Sequence, residues 1–419
     1  MIIRAKVVAT MDGPPIENGA VAVLGERLAD IGKFSDVAKK YSGEEIVDLG
    51  EQVLLPGLIN AHCHLDYTCL RGKIPRQKSF TDWIRAINAA KAKLSVDDYV
   101  ASINEGFAEA KLFGTTTIAN LTAFPELVAQ ISEPIRTWWF AELIDVRDPS
   151  QANELVDGAV ERLKSRSRWG LAPHAPFTAS KDLYRRCEEA ARRENALLTT
   201  HLAESRDEMS MFREGNSELC EFLEDIGRDM SDCGNSTPVE RFLERGSGDE
   251  RPYLLAHLNE VAGNDFKLLK KSATKNSIVH CPRSHSYFGH SPFQFGKLRE
   301  LGFNMCLATD SLASNDDLSL FAEMRAFQKK FPDVSPDEIL KMVTVNPACA
   351  LRQENALGKI RAGFIADLIA VPLARAAFVK LPVRLGPSSA KSRSVFQGLI
   401  DFEQSVSWTM IDGSAQNAA

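Results

Sequence analysis

The sequence predicts an α/β fold, a (β/α)8 TIM barrel with a small β-sandwich built from both chain ends. Three observations predict it. Eight short apolar runs alternate with helical patterns through the middle of the chain. The two ends share a different, turn-rich β texture. The eight histidines all fall between 62 and 290, and five of them end an apolar run.

The first end reads VAVLG, ERLADIG and EEIVDLG between Val21 and Val53, with alternating apolar positions and Gly at the turns, the pattern of a small antiparallel unit. The tail repeats that texture in ADLIAV, SVFQGLI and VSWTMIDG. Residues 1–56 with 356–419 are therefore expected to form one composite β-sandwich, interrupted by a barrel over 57–355. The barrel strands are expected at 54–62, 115–120, 137–145, 169–174, 196–201, 253–257, 276–280 and 303–310. Between them, Ser95 with Asp98 three residues on reads as a capping box. Val96, Tyr99, Val100, Ile103 and Phe107 then follow at helical spacing towards Gly114. Ser335-Pro336-Asp337-Glu338 reads as a second capping box, with proline at the first helical position. Eight such repeats over about 250 residues fit a barrel. A doubly wound sheet is the alternative, but no G-x-G-x-x-G follows the first strand.

Composition narrows the function. Of 419 residues, 44% are hydrophobic and 25% charged, which excludes wholesale disorder. Fifty Lys+Arg against 56 Asp+Glu give a net charge of −6 without a basic run, a poor field for nucleic acid or an anionic membrane. No apolar stretch approaches the roughly 18 residues of a membrane span. Arg4 and Lys6 break the N-terminal apolar run, which does not read as a signal peptide. Eight scattered cysteines without a C-x-x-C pair fit reduced thiols and a cytoplasmic setting. The expected partners are a small molecule and water, and a homo-oligomer is compatible with the sequence.

His62, His174, His201, His257 and His280 end expected strands, and Asp310 ends the eighth. In a barrel those ends form the active-site face. His62 and His64, two apart on extended backbone, point to one side and can meet one ion. His201 and Asp310 complete a three-nitrogen, one-carboxylate set, which suits Zn2+, with Fe2+ the alternative. An isolated H-x-H is more often an accident of surface or core; here the other strand ends join it. Glu204, three residues after His201, can hang over the ion's water as a general base. His257 is a fifth ligand, a hydrogen-bonding partner of the hydroxide, or structural. His174, between Pro173 and Pro176, is expected to touch substrate, and His280 to be a buried, satisfied histidine. No lysine occurs in WGLAPHAP, so a bridging carbamylated lysine is unsupported and one metal is expected.

PGLINAHCHLD, GTTT, PHAPFTAS, HLAES, AHLNE, HCPRS and LATDSLASNDDLSLFAEMR, in this order, resemble the amidohydrolase superfamily. They are most similar to its cytosine deaminase and chlorohydrolase branch, which includes adenosine-type and aminodeoxyfutalosine deaminases. The resemblance covers nearly the whole chain. It implies that His62, His64, His201 and Asp310 hold one divalent metal and that Glu204 carries a proton from water to a ring nitrogen. It further implies that His257 positions the hydroxide and that Asp310 passes a proton to the leaving amine. Trp83, in FTDWIRAINAAKAK, matches a substrate contact of the adenosine-type members. Ala92 stands where those members carry a carboxylate for ribose hydroxyls, and Glu142 stands where some carry an arginine. Arg283 and His285 follow the seventh strand, where many relatives have Ser-Asn; they are expected to meet an anionic substrate tail, the alternative being that Arg283 pairs with a nearby acid to hold its loop.

The expected activity is hydrolytic deamination of a purine-like or nucleoside-type heterocycle. The alternatives are a dechlorinase or alkylamine-releasing hydrolase, and a non-catalytic scaffold that keeps the fold.

Overall fold

The computed structural model describes residues 1–245, 251–373 and 395–416. Eight parallel strands pair in sequence order: Leu58–Cys63, Thr115–Thr122, Arg136–Leu143, Trp169–Pro173, Leu197–Leu202, Tyr253–His257, Ser277–His280 and Asn304–Leu307. The ring closes where Cys63 bridges Asp310. At the same seam Asn60 donates to Thr309 Oγ1 (2.8 Å) and accepts from its amide (3.3 Å). This is the barrel expected from the eight repeats.

Two expected strands differ in extent. The run over 54–62 is two strands: Gln52–Pro56 lies in the end sheet and Leu58–Cys63 in the barrel. The chain changes sheets at Gly57, where a Cβ would run into the Thr116 side chain. A continuous apolar run cannot announce such a switch, because both halves are buried. The run over 303–310 stops pairing as a strand at Leu307, and Asp310 adopts a left-handed φ of 60° that the extended ladder does not allow.

The helices start where the sequence places caps. Ser95 accepts from the Asp98 amide, and the Asp98 carboxylate accepts in return from the Ser95 amide. The helix Val96–Leu112 buries Tyr99, Ile103, Phe107 and Ala110. Burying a large apolar side chain of this kind contributes about 1.5–3 kcal/mol. Beyond it Gly114 takes a φ of +83°, and a Cβ there would strike Ile369 and Val406 from the far end of the chain. Ser335 caps Pro336–Lys341, while Glu338 pairs with Arg299 at 2.9 Å.

The chain ends build a separate eight-stranded sheet. Ile2–Val8, Ile16–Leu24, Arg27–Lys33, Ile46–Asp48 and Gln52–Pro56 come from one end, and Leu368–Pro372, Trp408–Ile411 and Ser414–Gln416 from the other. The ends join where Gln52–Pro56 runs antiparallel to Leu368–Pro372. SVFQGLI, expected as a strand, is helical over 395–400. Val395, Phe396, Leu399 and Ile400 are buried, a spacing that suits one helix face better than alternation. The parts of the expected tail unit at 374–394 and 417–419 lie outside the described residues. No helix among the described residues is long and apolar enough to cross a membrane.

One buried ion pair ties barrel to end sheet. Arg136, the first residue of the third barrel strand, forks onto Asp367 (3.2 and 3.3 Å) and also meets Asp412. The Arg136 and Asp367 side chains are 7% and 5% exposed. Removing one partner of such a pair strands the other charge, at a cost of about 3–5 kcal/mol. Arg136→Met is expected to lower the unfolding free energy in urea by about that amount. Lys6→Met, which breaks the exposed pair with Glu51, should cost under about 1 kcal/mol. Equal effects would contradict the stapling role.

Candidate active site

The strand ends bring the sequence-predicted residues together. The His62 ring lies 5.0, 4.9 and 5.5 Å from those of His64, His201 and His257. His64 Nε2 faces His201 Nε2 at 3.3 Å. Asp310 Oδ1 is 3.8 Å from His62 Nε2 and 3.9 Å from His64 Nε2. Barrel closure creates this last approach, because the Asp310 amide donates to the His62 carbonyl (3.2 Å) at the seam. Ser311 N and Ser284 Oγ then hold the two carboxylate oxygens at 2.8 and 2.7 Å.

Neighbours orient each ring. His201 Nδ1 lies 3.0 Å from the His174 carbonyl, which can only accept, so that nitrogen carries the proton and Nε2 keeps its lone pair. Burial pushes the pKa values of His62, His64, His201 and His257 down, which keeps the rings neutral. Both nitrogens of His62 are buried without a hydrogen-bond partner. Unpaired lone pairs converging on one point are what a cation requires, and three imidazoles with a carboxylate match Zn2+ or Fe2+ chemistry.

Two further groups of ligand-type atoms lie close. Glu142, His174 and His201 form one, and His257, Cys281 and Asp310 the other. The first borrows His201, whose single lone pair already faces His64. The second takes only one histidine and shares Asp310, whose Oδ1 lies 3.8 and 3.9 Å from the Nε2 atoms of His62 and His64. The remaining group is His62, His64 and His201, and the same Asp310 oxygen adjoins two of its nitrogens.

Glu204 sits beside this set, with Oε1 3.6 Å from His257 Nε2. Its backbone is pinned twice: its amide donates to Glu208 Oε2 (2.7 Å), and Asn259 Nδ2 donates to its carbonyl (3.1 Å). Burial first, and then the Asp310 charge, raise the Glu204 pKa well above the usual carboxylate range. Ala203, His257, Leu258 and Asp310 all have positive φ (51°, 74°, 49° and 60°). Strained backbone outside glycine gathers at sites that the surrounding structure over-determines.

A cavity of about 310 Å³ opens above these groups, lined in part by Tyr67, Trp83, Glu142 and His174. Trp83 packs edge-on against Phe288 (5.0 Å) from the helix Phe80–Lys91. His174 turns Nδ1 to Thr178 Oγ1 (2.6 Å) and Nε2 towards the cavity wall at Glu142 (4.0 Å). Arg283 and His285 stand elsewhere, and this corrects the expectation of a tail-binding pair. Arg283 forks onto Asp317 (2.6 Å) and Asp316 (3.0 Å), and neither it nor His285 lines the cavity. His285 Nε2 donates to the Ser291 carbonyl at 2.9 Å. Asp316 and Asp317 lie within the quoted LASNDDLSL run, but their pairing with Arg283 is invisible without the fold. His280 is buried, as expected, and stacked on Phe293 (3.8 Å), but it is not satisfied as expected, because its Nδ1 lacks a partner.

Sequence reasoning missed Ser284, Glu208 and Lys91. Glu208 follows Glu204 by one helical turn, a spacing that could have marked it; Ser284 lies in the HCPRS motif and Lys91 flanks Ala92, but neither position carries a role that the sequence shows.

The amidohydrolase family model matches residues 53–413. A 5-methylthioadenosine/S-adenosylhomocysteine deaminase of Syntrophobacter fumaroxidans is 31% identical over 378 residues, covering 86% of this chain and 81% of that protein. Among solved structures, Helicobacter pylori aminofutalosine deaminase in complex with methylthio-coformycin superposes with a TM-score of 0.85 at 21% identity, over 99% of both chains. A zinc-bound adenosine deaminase from Xanthomonas campestris gives 0.80 at 22% identity, over 99% of this chain and 92% of that one. The match over most of the chain, together with the histidine and carboxylate cluster at the barrel mouth, shows that this chain belongs to the amidohydrolase family.

Proposed function

We propose that this protein is a hydrolytic deaminase that replaces the exocyclic amino group of a purine-type nucleoside by oxygen and releases ammonia. The observation that carries the reading is Glu204: a carboxyl able to hold a proton, beside the ligand cluster and 3.6 Å from His257. The relative from Syntrophobacter fumaroxidans, named as a deaminase of two nucleosides, supports the substrate class.

His62, His64, His201 and Asp310 would hold one divalent ion, zinc in first place. When bound, such an ion supplies Lewis acidity that brings the pKa of a water to about 7. Glu204 takes a proton from the attacking water and delivers it to the ring nitrogen beside the amine-bearing carbon. That protonation offsets the loss of ring stabilisation as the new C–O bond forms. His257 steadies the water oxygen by a hydrogen bond. Asp310 takes the remaining proton from the added hydroxyl and passes it to the amine; the C–N bond breaks as the C=O bond forms, and ammonia leaves. Two carboxyls in different surroundings thus take two proton-transfer roles. Departure of an amine requires a proton where departure of chloride does not, so the presence of both carboxyls favours deamination over dechlorination. The intact cluster argues against a scaffold. We also infer a cytoplasmic setting from the eight free thiols.

Glu204→Gln keeps the shape of the side chain and removes the proton carrier. It is expected to retain the metal and the melting temperature while losing about 10²–10⁴-fold in ammonia release. Near-native turnover would sink the shuttle.

Metal analysis of the purified protein is expected to find about one zinc or iron per chain. Chelation should abolish turnover and lower the melting temperature, since an ion that binds only the folded state stabilises it. His62→Ala should lose metal and turnover together, whereas two ions per fully active chain would contradict the single-ion reading.

Arg283→Met is expected to lower the melting temperature while KM stays within about twofold for charged and neutral substrates alike. A loss confined to anionic substrates would restore Arg283 to the binding site.

A further inference from the structure

Glu204 stands at the head of a short run, Glu204-Ser205-Arg206-Asp207-Glu208, that follows the fifth barrel strand. Glu204 carries the proton in the reading above. Ser205 caps the helix Arg206–Glu214, accepting from the Glu208 amide (3.1 Å). Glu208, fully buried, accepts in turn from the Glu204 amide. Asp207 bonds outside its own helix. One of its carboxylate oxygens accepts from both the amide (2.9 Å) and the hydroxyl (2.6 Å) of Thr81.

Thr81 is fully buried and is the second residue of the helix Phe80–Lys91, where a backbone N–H has no partner within the helix. Asp207 therefore caps a helix other than its own, from the first turn of the helix to which it belongs. The helix dipole favours a carboxylate at an N-terminus, and here one carboxylate serves two N-termini. Ser79 Oγ, which accepts from the Asp82 amide, donates to Glu218 further along the same inserted segment. The helix Phe80–Lys91 depends on such ties, because only Thr81 and Ile87 of its 12 residues are buried. An element with so little buried apolar surface opens easily unless it is tied down. Yet this helix brings Trp83, Ile84 and Ile87 to the cavity that Glu204 also lines.

We propose that Asp207 is a positioning residue for the reaction. By holding the N-terminus of the helix that carries Trp83, it sets that wall of the cavity in register with Glu204, which stands just ahead of it in the chain. A heterocycle seated on Trp83 is thereby held at a fixed offset from the carboxyl that must reach its ring nitrogen. A misplacement of about 1 Å between reacting groups can cost on the order of 10²-fold in rate, so this tie serves turnover as well as folding. The assignment rests on the deaminase reading above and names what aligns the substrate within that site. The competing role, an acid in the first turn that stabilises only its own helix, depends on charge. The tie depends on an acceptor.

The test compares metal-loaded wild type with Asp207→Ala, Asp207→Asn, Trp83→Ala and the variant that combines Asp207→Ala with Trp83→Ala. Each is measured for amide hydrogen exchange, ammonia release from adenosine, metal content and melting temperature. Asparagine keeps an oxygen that can accept both Thr81 bonds and gives up the charge. Asp207→Ala is expected to raise exchange across Phe80–Lys91 by about tenfold or more while the barrel strands stay protected and the metal is kept. Its kcat/KM should fall about tenfold or more, whereas Asp207→Asn should stay within about threefold of wild type on both readouts. Trp83→Ala should cost much less in the Asp207→Ala background than in wild type, because residues that act through one another are not additive. Should Asp207→Ala fail to fold, Thr81→Val, which removes the hydroxyl bond alone, is expected to give the same pattern at smaller size. The proposal is overturned if exchange across Phe80–Lys91 is unchanged in Asp207→Ala, if Asp207→Asn falls as far as Asp207→Ala, or if the two single losses simply add. If wild type releases no ammonia from adenosine, the deaminase reading falls for that substrate, while the exchange comparison upholds or overturns the tie on its own.

Discussion

Four neutral imidazoles and two carboxyls are forced together at one end of the barrel, away from water, and the rest of the site depends on how the fold holds them there. Separately, each group would prefer solvent. His62, with both ring nitrogens unpaired, is the most exacting, because nothing in the polypeptide answers its lone pair. The barrel supplies the rigidity that holds these groups in place. Its closure between the first and eighth strands sets Asp310 against His62 by a backbone hydrogen bond. Four left-handed residues, Ala203, His257, Leu258 and Asp310, aim the groups inward. The end sheet adds a remote brace, because Arg136 joins the start of the third strand to Asp367.

The chemistry of the site follows from the same crowding. Desolvation keeps the imidazoles unprotonated, so their nitrogens keep a free lone pair, and it raises the proton affinity of the Glu204 carboxylate. A ligand set and an acid–base group thus arise from one physical cause acting on two residue types. Placement decides which role each takes. Asp310 is held by Ser284 and Ser311 as an oriented carboxylate, while Glu204 has its backbone pinned and its carboxyl end turned to His257.

Much of this was legible in the sequence, for a specific reason. A barrel converts strand ends into one surface, so residues far apart in the chain declare a shared site by recurring at the same place in each repeat; His62, His201, His257 and Asp310 do so. What was illegible involved partners. Arg283 offers a guanidinium at the barrel mouth in the sequence, but Asp316 and Asp317 engage it in three dimensions. Glu142 reads as a mere departure from the branch pattern, and only the fold shows an unpaired oxygen in the cavity wall. The apolar run through Pro56 and Gly57 hides a change of sheet because both sides are buried. SVFQGLI carries strand-forming residues on a spacing that packing resolves as helix.

The central claim is that the nitrogens left unpaired by burial form the single metal centre. X-ray absorption at the metal edge of the purified protein tests it most directly. The account predicts only nitrogen and oxygen neighbours, at about 2.0–2.2 Å, with imidazole scattering from three histidines. A sulfur neighbour at about 2.3 Å would place the ion on the group that contains Cys281, and would contradict the assignment of His62, His64, His201 and Asp310.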